Sequence, residues 1–374
     1  MMAHIPVYRP HFTGKEREYV LDCLESGWIS SRGAYIGRFE AACAAYLGAE
    51  HALSVSNGTV ALHLALLACG IGPGDEVIVP TFTYVASVNA IRYVGATPVF
   101  AESLPETWQV DPADVARRIT PRTRAIMAVH LYGAACDLPA LERLAGERGI
   151  YLIEDAAEAF GTRIGDRHAG TFGDVATFSF FGNKTITTGE GGLVVCKDAA
   201  RAERIALLKS QFASPTKRYW HDDVGYNYRM TNIQAAIGLA QIEQVGPILA
   251  AKRRLAMRYA ELLADVPLTF HREPPGTTHS FWMVSAMVPK AEDRDPLFTH
   301  LEGQGIETRP TFYPAHTMPM FHDPACPPDA YPVARDLGAR GFNLPSFPDL
   351  TDAELDHVIG SIRDFFQGRA RRVA

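Results

Sequence analysis

The 374-residue sequence predicts an α/β fold, a mostly parallel central sheet covered by helices on both faces, followed by a smaller α+β unit. Three observations carry that prediction. Short apolar runs such as Glu76-Val77-Ile78-Val79 lack in-out alternation, which marks strands buried on both faces. Segments of helical period separate them. The pattern then changes after Arg272-Glu273-Pro274-Pro275-Gly276, a turn-rich stretch that reads as a linker.

Taken in order, residues 13–26 have helical spacing, with Val20, Leu21 and Leu24 on one side and Gly27 as the stop. Trp28 to Gly33 is a loop, and 36–47 is a second helix. Strands are expected at 52–55, 76–79, 97–100, 124–130 and 151–154, with helices at 58–69, 84–94, 112–119 and 138–148 between them. Two later strands fall at 176–181 and 192–196. The pattern over 231–263 is one long helix that Gly246-Pro247 kinks or divides. Beyond the linker come a strand at 281–288, a helix at 296–304 and a final helix at 352–366. The expected organisation is an arm with helices (1–50), a large cofactor-binding α/β domain (51–265) and a small α+β domain (266–374).

Composition removes several classes. The net charge of -6 gives nucleic acid no general attraction, and the short basic run at Arg369, Arg371 and Arg372 reads as the solvated end of a helix. Residues 1–10 lack a charged-then-apolar leader, and no apolar run reaches the roughly 18 residues of a membrane span. Neither a signal peptide nor a membrane partner is expected. The six cysteines (Cys23, Cys43, Cys69, Cys136, Cys196, Cys326) are scattered without CxxC spacing. No metal site is expected, and a cytoplasmic location fits.

Four stretches carry chemistry. In Phe178-Ser179-Phe180-Phe181-Gly182-Asn183-Lys184-Thr185 a strand runs into a loop with one lysine. An amine there can attack an aldehyde and form an imine once the site disfavours its charge. In Leu152-Ile153-Glu154-Asp155-Ala156-Ala157-Glu158, Asp155 ends a buried-looking strand, where open α/β sheets bind ligands. A carboxylate opposite a pyridine nitrogen is what pyridoxal 5′-phosphate (PLP) chemistry needs, and Glu158 is placed to meet the cofactor hydroxyl. In Ser54-Val55-Ser56-Asn57-Gly58-Thr59-Val60 a strand turns into a helix whose free amides form an anion site. Gly58 and Thr59 are the expected phosphate cradle, with Ser179 as a further hydroxyl. In Pro80-Thr81-Phe82-Thr83-Tyr84, Tyr84 is preferred to Phe82 as the aromatic on the cofactor ring. Each stretch alone has a plainer reading: a surface lysine in a hairpin, a helix cap at Asp155, a surface acid at Glu158, an ordinary capped helix at Gly58, core packing at Tyr84. The GxGxxG fingerprint of a nucleotide-binding dehydrogenase does not follow the first strand.

These motifs, in this order, resemble the DegT/DnrJ/StrS family of sugar aminotransferases, within the aspartate-aminotransferase-like fold type I of PLP enzymes. The likeness runs from Ile5-Pro6-Val7-Tyr8 to Phe342-Asn343-Leu344-Pro345 and includes Gly225-Tyr226-Asn227-Tyr228-Arg229-Met230. It implies Lys184 and Asp155 as the catalytic pair, PLP as cofactor, and a homodimer with shared active sites in which Asn227 reaches the partner's PLP phosphate. Ser26 to Ser31, Arg218 to Asp222 and Phe312 to Met320 are similar to the branch acting on GDP-4-keto-6-deoxy-D-mannose with L-glutamate as amino donor and 2-oxoglutarate as by-product. Relatives acting on dTDP- or UDP-linked keto sugars, at C3 or C4, remain open, as does a noncatalytic regulator with the same fold. A dehydratase branch carries histidine in place of the lysine, and Lys184 departs from it. Trp28, Ser30, Tyr313 and His316 are the substrate-binding candidates, with Arg229 and Arg309 as candidates for diphosphate charge.

Overall fold

The computed structural model describes residues 4–373; the side chains of the basic tail, Arg369, Arg371 and Arg372, lie outside the described residues. Helices α1 (Glu16–Ser26) and α2 (Ala34–Leu47) come first. Then follow β1 (His51–Val55), α3 (Gly58–Ala68), β2 (Glu76–Pro80), α4 (Val85–Tyr93), β3 (Thr97–Ala101), α5 (Pro112–Arg118), β4 (Thr123–Val129), α6 (Leu138–Arg148) and β5 (Tyr151–Asp155). A short hairpin, β6 (Arg163–Ile164) and β7 (Arg167–His168), precedes β8 (Val175–Ser179), β9 (Gly192–Cys196) and α7 (Ala199–Leu208). Helices α8 (Asn232–Glu243) and α9 (Val245–Leu262) lead to the C-terminal part: β10 (Thr269–Phe270), β11 (Thr277–Thr278), β12 (Val284–Met287), α10 (Ala291–Gly303), β13 (Arg309–Pro310), α11 (Pro332–Arg340), β14 (Gly341–Leu344) and α12 (Asp352–Val373).

The main sheet has seven strands in the order β1-β9-β8-β5-β4-β2-β3. Strands β8, β5, β4, β2 and β3 pair in parallel, and β9 alone runs against both its neighbours. Alternate residues enter different cores. Val77, Val79, Met127 and Ile153 face one apolar cluster with α3 and α4, while Ile78, Ile126 and Leu152 face another with α6. Phe178 and Leu193 join a third with α1, α2 and α8. Burial on both faces explains why these strands read as unbroken apolar runs. A four-stranded antiparallel sheet, β10-β12-β14-β13, builds the C-terminal unit, and β11 adds to the β6-β7 hairpin.

Several boundaries differ from the sequence expectations for local reasons. The long helix breaks at Gln244, and Pro247 lies in the first turn of α9, where a missing N–H costs no intrahelical bond. The strand expected from 281 begins at Val284, because Phe281 is left-handed (φ 48°) and ends any extended run. Helix α10 starts at Ala291 and carries Pro296 near its beginning. The two-residue strands, α7, α11 and β14 are additions that periodicity did not reveal. The N-terminal residues join the C-terminal sheet region: Ile5 N–H donates to Gly305 O at 2.9 Å, Glu307 N–H to Ile5 O at 2.9 Å, and Ser346 N–H to Val7 O at 2.9 Å.

Phe178 lies on the strand that leads to Lys184 and is fully buried, its ring edge-on to Phe160 at 5.5 Å between centroids. A Cβ on Gly170 would stand 2.3 Å from that ring, so the backbone is packed directly on it. Phe178→Ala is expected to cost about 3–5 kcal/mol, read as a lower denaturation midpoint with an unchanged slope; a loss under about 1 kcal/mol would contradict this account of the core.

Candidate active site

Strands β1, β2, β4, β5 and β8 point the same way, so their carboxyl ends share one edge of the sheet. Asp155 ends β5, Ser179 ends β8 just before the lysine loop, and Asn57 starts α3 just after β1. The loop is tied to itself by Lys184 N–H to Phe181 O at 2.9 Å and Thr188 N–H to Phe180 O at 2.9 Å. Lys184 Nζ reaches Glu158 Oε1 at 3.5 Å and lies 3.8 Å from the centroid of the Trp282 ring.

Both neighbouring carboxylates are buried. Asp155 accepts from Ser87 Oγ at 2.7 Å and from Ala157 N–H at 3.1 Å, and burial raises its pKa above the usual value despite those bonds. Glu158 accepts from Tyr132 N–H at 2.9 Å; burial lifts its pKa to about 7, against the opposing pull of the Lys184 charge. At the start of α3, the Asn57 side chain accepts from Val60 N–H at 3.0 Å. The amides of Gly58 and Thr59 are left without an acceptor among the described residues. A Cβ on Gly58 would stand 2.9 Å from Ser179 Cβ, so only glycine brings this turn against the end of β8. A Cβ on Gly192 would stand 2.5 Å from Asn57 O, which holds the other side of the turn equally close.

This arrangement fits PLP. Asp155 is a fully buried carboxylate whose donors are a hydroxyl and an amide, both neutral, and a pyridinium N–H is the cationic donor such a group lacks. The free amides at the α3 start suit a phosphate, and an amine stands near both carboxylates.

The structure therefore brings Lys184, Asp155, Glu158, Gly58, Thr59 and Ser179 to one sheet edge. Of the two aromatics after β2, Phe82 is buried in the core against Tyr132 at 6.2 Å, whereas Tyr84 is exposed beside Phe312 at 5.6 Å. Asn227 is exposed, its Oδ1 accepting from Arg229 Nη2 at 3.2 Å. Trp28 and Ser30 are exposed, and their loop is pinned through backbone carbonyls by Asn232, at 2.7 Å in each case.

One substrate expectation is corrected, and a second residue is placed beside Arg294. His316 is buried, with Nδ1 at 2.7 Å from Thr81 Oγ1 and Nε2 at 3.3 Å from Pro328 O, so neither ring nitrogen is left for a ligand. Burial also lowers its pKa, which favours the neutral ring. Tyr313 turns away from its neighbour Phe312: its hydroxyl is 3.5 Å from Arg294 Nη2, beside Gly338 and Arg335, while Phe312 stacks on Tyr132 at 5.3 Å. Arg309 is engaged by Glu307 at 2.9 Å.

Other residues at the site were not singled out from the sequence. Tyr8 OH donates to Lys184 O at 2.7 Å, and Trp282 Nε1 donates to Asn183 O at 2.6 Å. Tyr132, left-handed at φ 57°, turns its amide to Glu158. Ser87 was legible only as a small residue one turn into the helix after Tyr84.

Comparison with known proteins agrees with this geometry. The model of the DegT/DnrJ/EryC1/StrS aminotransferase family matches residues 10–363. The chain is similar to the GDP-perosamine synthase of Escherichia coli O157:H7, 52% identical over 98% of this chain and 100% of that protein. It is likewise similar to the GDP-perosamine synthase of Vibrio cholerae, 53% identical over 97% of this chain and 99% of that one. Among solved structures, the aminotransferase TlmJ from Streptoalloteichus hindustanus superposes with a TM-score of 0.93 at 31% identity, covering 98% of this chain and all of that one (100%). The chain belongs to the DegT/DnrJ/EryC1/StrS aminotransferase family and is a PLP-dependent sugar aminotransferase.

Proposed function

We propose that this enzyme moves the amino group of L-glutamate to GDP-4-keto-6-deoxy-D-mannose, giving GDP-perosamine and 2-oxoglutarate. The observation that supports this substrate is the end-to-end likeness, above half identity, to proteins of that activity. The amine of Lys184 beside two buried carboxylates supports catalysis over a regulatory role.

Bound PLP would supply an aldehyde that bonds amines reversibly and a ring that accepts the electrons left when a substrate carbon loses its proton. Lys184 would be the amine that holds this aldehyde, and its Nζ would serve as the base that takes the substrate proton and returns it. Asp155 would keep the proton on the ring nitrogen, Glu158 would meet the ring hydroxyl, and Tyr84 would cover the ring. Gly58, Thr59 and Ser179 would hold the phosphate, with Asn227 of a second copy completing the cradle in a homodimer. Trp28 and Ser30 line the sugar entrance. In this reading 51–265 carry the cofactor and 266–374 close over the substrate, following the arm and helices of 1–50. No helix among the described residues is long and apolar enough to cross a membrane, and the proposed location is cytoplasmic.

A product assay with GDP-, dTDP- and UDP-4-keto-6-deoxy sugars tests the substrate: amination at C4 of the GDP sugar is expected, and preference for another nucleotide or for C3 would replace this reading. Lys184→Ala is expected to lose turnover by at least about 1,000-fold, the scale of acid–base plus covalent catalysis, while still retaining PLP noncovalently. Borohydride reduction followed by peptide mapping should find the pyridoxyl group on Lys184; an adduct on another lysine refutes the assignment.

Glu158 gives a pH signature. Folding raises its pKa from 4.5 to about 7, so its stabilising contribution is fully present below the lower value and is lost as pH rises through the higher one. The cofactor-free Glu158→Gln chain is expected to lose less stability than wild type between pH 4.5 and about pH 7, by up to about 1.4 kcal/mol per pH unit crossed. Denaturation curves that stay parallel across that window would contradict the burial assigned to this carboxylate.

A further inference from the structure

We propose that Trp282 is a positioning residue for Lys184: its indole face is the resting place of the ammonium whenever the side chain is not bonded to the cofactor, and its N–H fixes the peptide just before the lysine. The proposal rests on Lys184 being the cofactor-bonding lysine.

Two contacts come from the one side chain. Lys184 Nζ lies 3.8 Å from the Trp282 ring centroid, and Trp282 Nε1 donates to Asn183 O at 2.6 Å. Tyr8 OH holds the next carbonyl, Lys184 O, at 2.7 Å, so consecutive peptides of the loop are pinned from outside it. The indole is buried and nearly parallel to Tyr132, at 6.2 Å and 9°. Tyr132 in turn gives its amide to Glu158, whose Oε1 stands 3.5 Å from Nζ. The amine thus lies between an aromatic face and a carboxylate. Phe281 and Tyr132, both left-handed without being glycine, are the residues that aim these groups. Strain of that kind persists where the surrounding structure enforces it, and it concentrates at working sites.

An indole face attracts a cation and is nearly indifferent to a neutral amine. The perch therefore acts on one protonation state. During amino transfer the neutral Nζ gains the proton that leaves the substrate carbon and later gives the same proton back, so nothing is gained or lost over the cycle. Glu158, with its pKa lifted to about 7 by burial, is only partly charged at neutral pH. The ring supplies attraction that does not vary with pH, and it forms no hydrogen bond that would have to break before the proton is returned.

Two rates should move in opposite directions when the ring is made electron-poor without changing its shape. Tryptophan carrying successive fluorines, placed only at position 282 of the full chain, is the probe. Capture of added PLP by the cofactor-free chain, followed by absorbance at fixed pH, should accelerate, because the ring holds the side chain less firmly in its resting place. Proton removal from glutamate in the loaded enzyme should slow, because the ammonium that forms is less stabilised. Each change should reach roughly 2- to 30-fold across the series. Flat rates, a change in one rate alone, or changes of the same sign overturn the proposal. If the fluorinated chain does not accumulate, Trp282→Phe against Trp282→Met gives the same comparison, with Phe expected nearer wild type on both rates and equal behaviour overturning the role of the ring. Borohydride mapping on each variant separates the two readings: an adduct at Lys184 with flat rates rejects Trp282 alone, whereas an adduct elsewhere rejects Lys184 itself.

Discussion

The end of β5 buries negative charge, and the rest of the site answers to it. Glu154, Asp155 and Glu158 are all nearly inaccessible, and an ionised carboxylate removed from water is costly unless it is paired or hydrogen-bonded. The two strand residues point to opposite faces and meet different fates. Glu154 accepts the amides of Gly170, Phe172 and Gly173 at 2.6, 2.8 and 2.6 Å, and His130 Nε2 lies 3.0 Å away. His130 Nδ1 accepts from Cys136 N–H at 3.2 Å, which leaves Nε2 to donate to Glu154. That acid is satisfied by the fold and serves it, holding residues 170–173 against the sheet. Asp155, one residue on, has two neutral donors and a raised pKa. The difference in hydrogen bonding separates an acid satisfied by the fold from one left with room for a further, cationic donor on the same strand.

Much of this was legible in the sequence because strand-end chemistry is local. A strand, its terminal carboxylate and the turn that follows lie within a few residues, and so do Asn57, Gly58 and Thr59 at the start of α3. The parallel sheet then gathers such ends on one edge without further instruction. What escaped was delivered from far along the chain. Tyr8 and Trp282 meet the lysine loop from 176 and 99 residues away, and nothing in the residues around them places either one at the lysine. The left-handed turns at Tyr132 and Phe281 were equally silent, since neither residue type favours that conformation. His316 was misjudged for the converse reason. A proline-flanked aromatic loop looks solvent-facing, yet this one folds back onto β2, with Ala315 N–H bonded to Thr81 O at 2.7 Å, and takes the histidine inside. Its neighbours alternate, so Phe312 packs on Tyr84 and Tyr132 while Tyr313 faces Arg294.

The C-terminal unit therefore does more than cover the sheet edge. The segment leading into β12 supplies Trp282, and the 311–317 segment supplies Phe312, whose amide bonds Tyr132 OH at 2.9 Å. The N-terminal arm runs through that same unit before Tyr8 reaches Lys184. Under Tyr8 lies Lys252 on α9, fully buried, its Nζ 4.7 Å from the Tyr8 ring centroid and bonded to Ser346 O at 2.7 Å. Burial brings its pKa down to about 7. An amine kept in such a place holds the arm, α9 and the segment after β14 in one register. The position of Lys184 is thus set jointly by its own loop and by the contact between the sheet edge and the C-terminal unit. A sliding of one against the other would shift both pinned carbonyls together, and with them the amine.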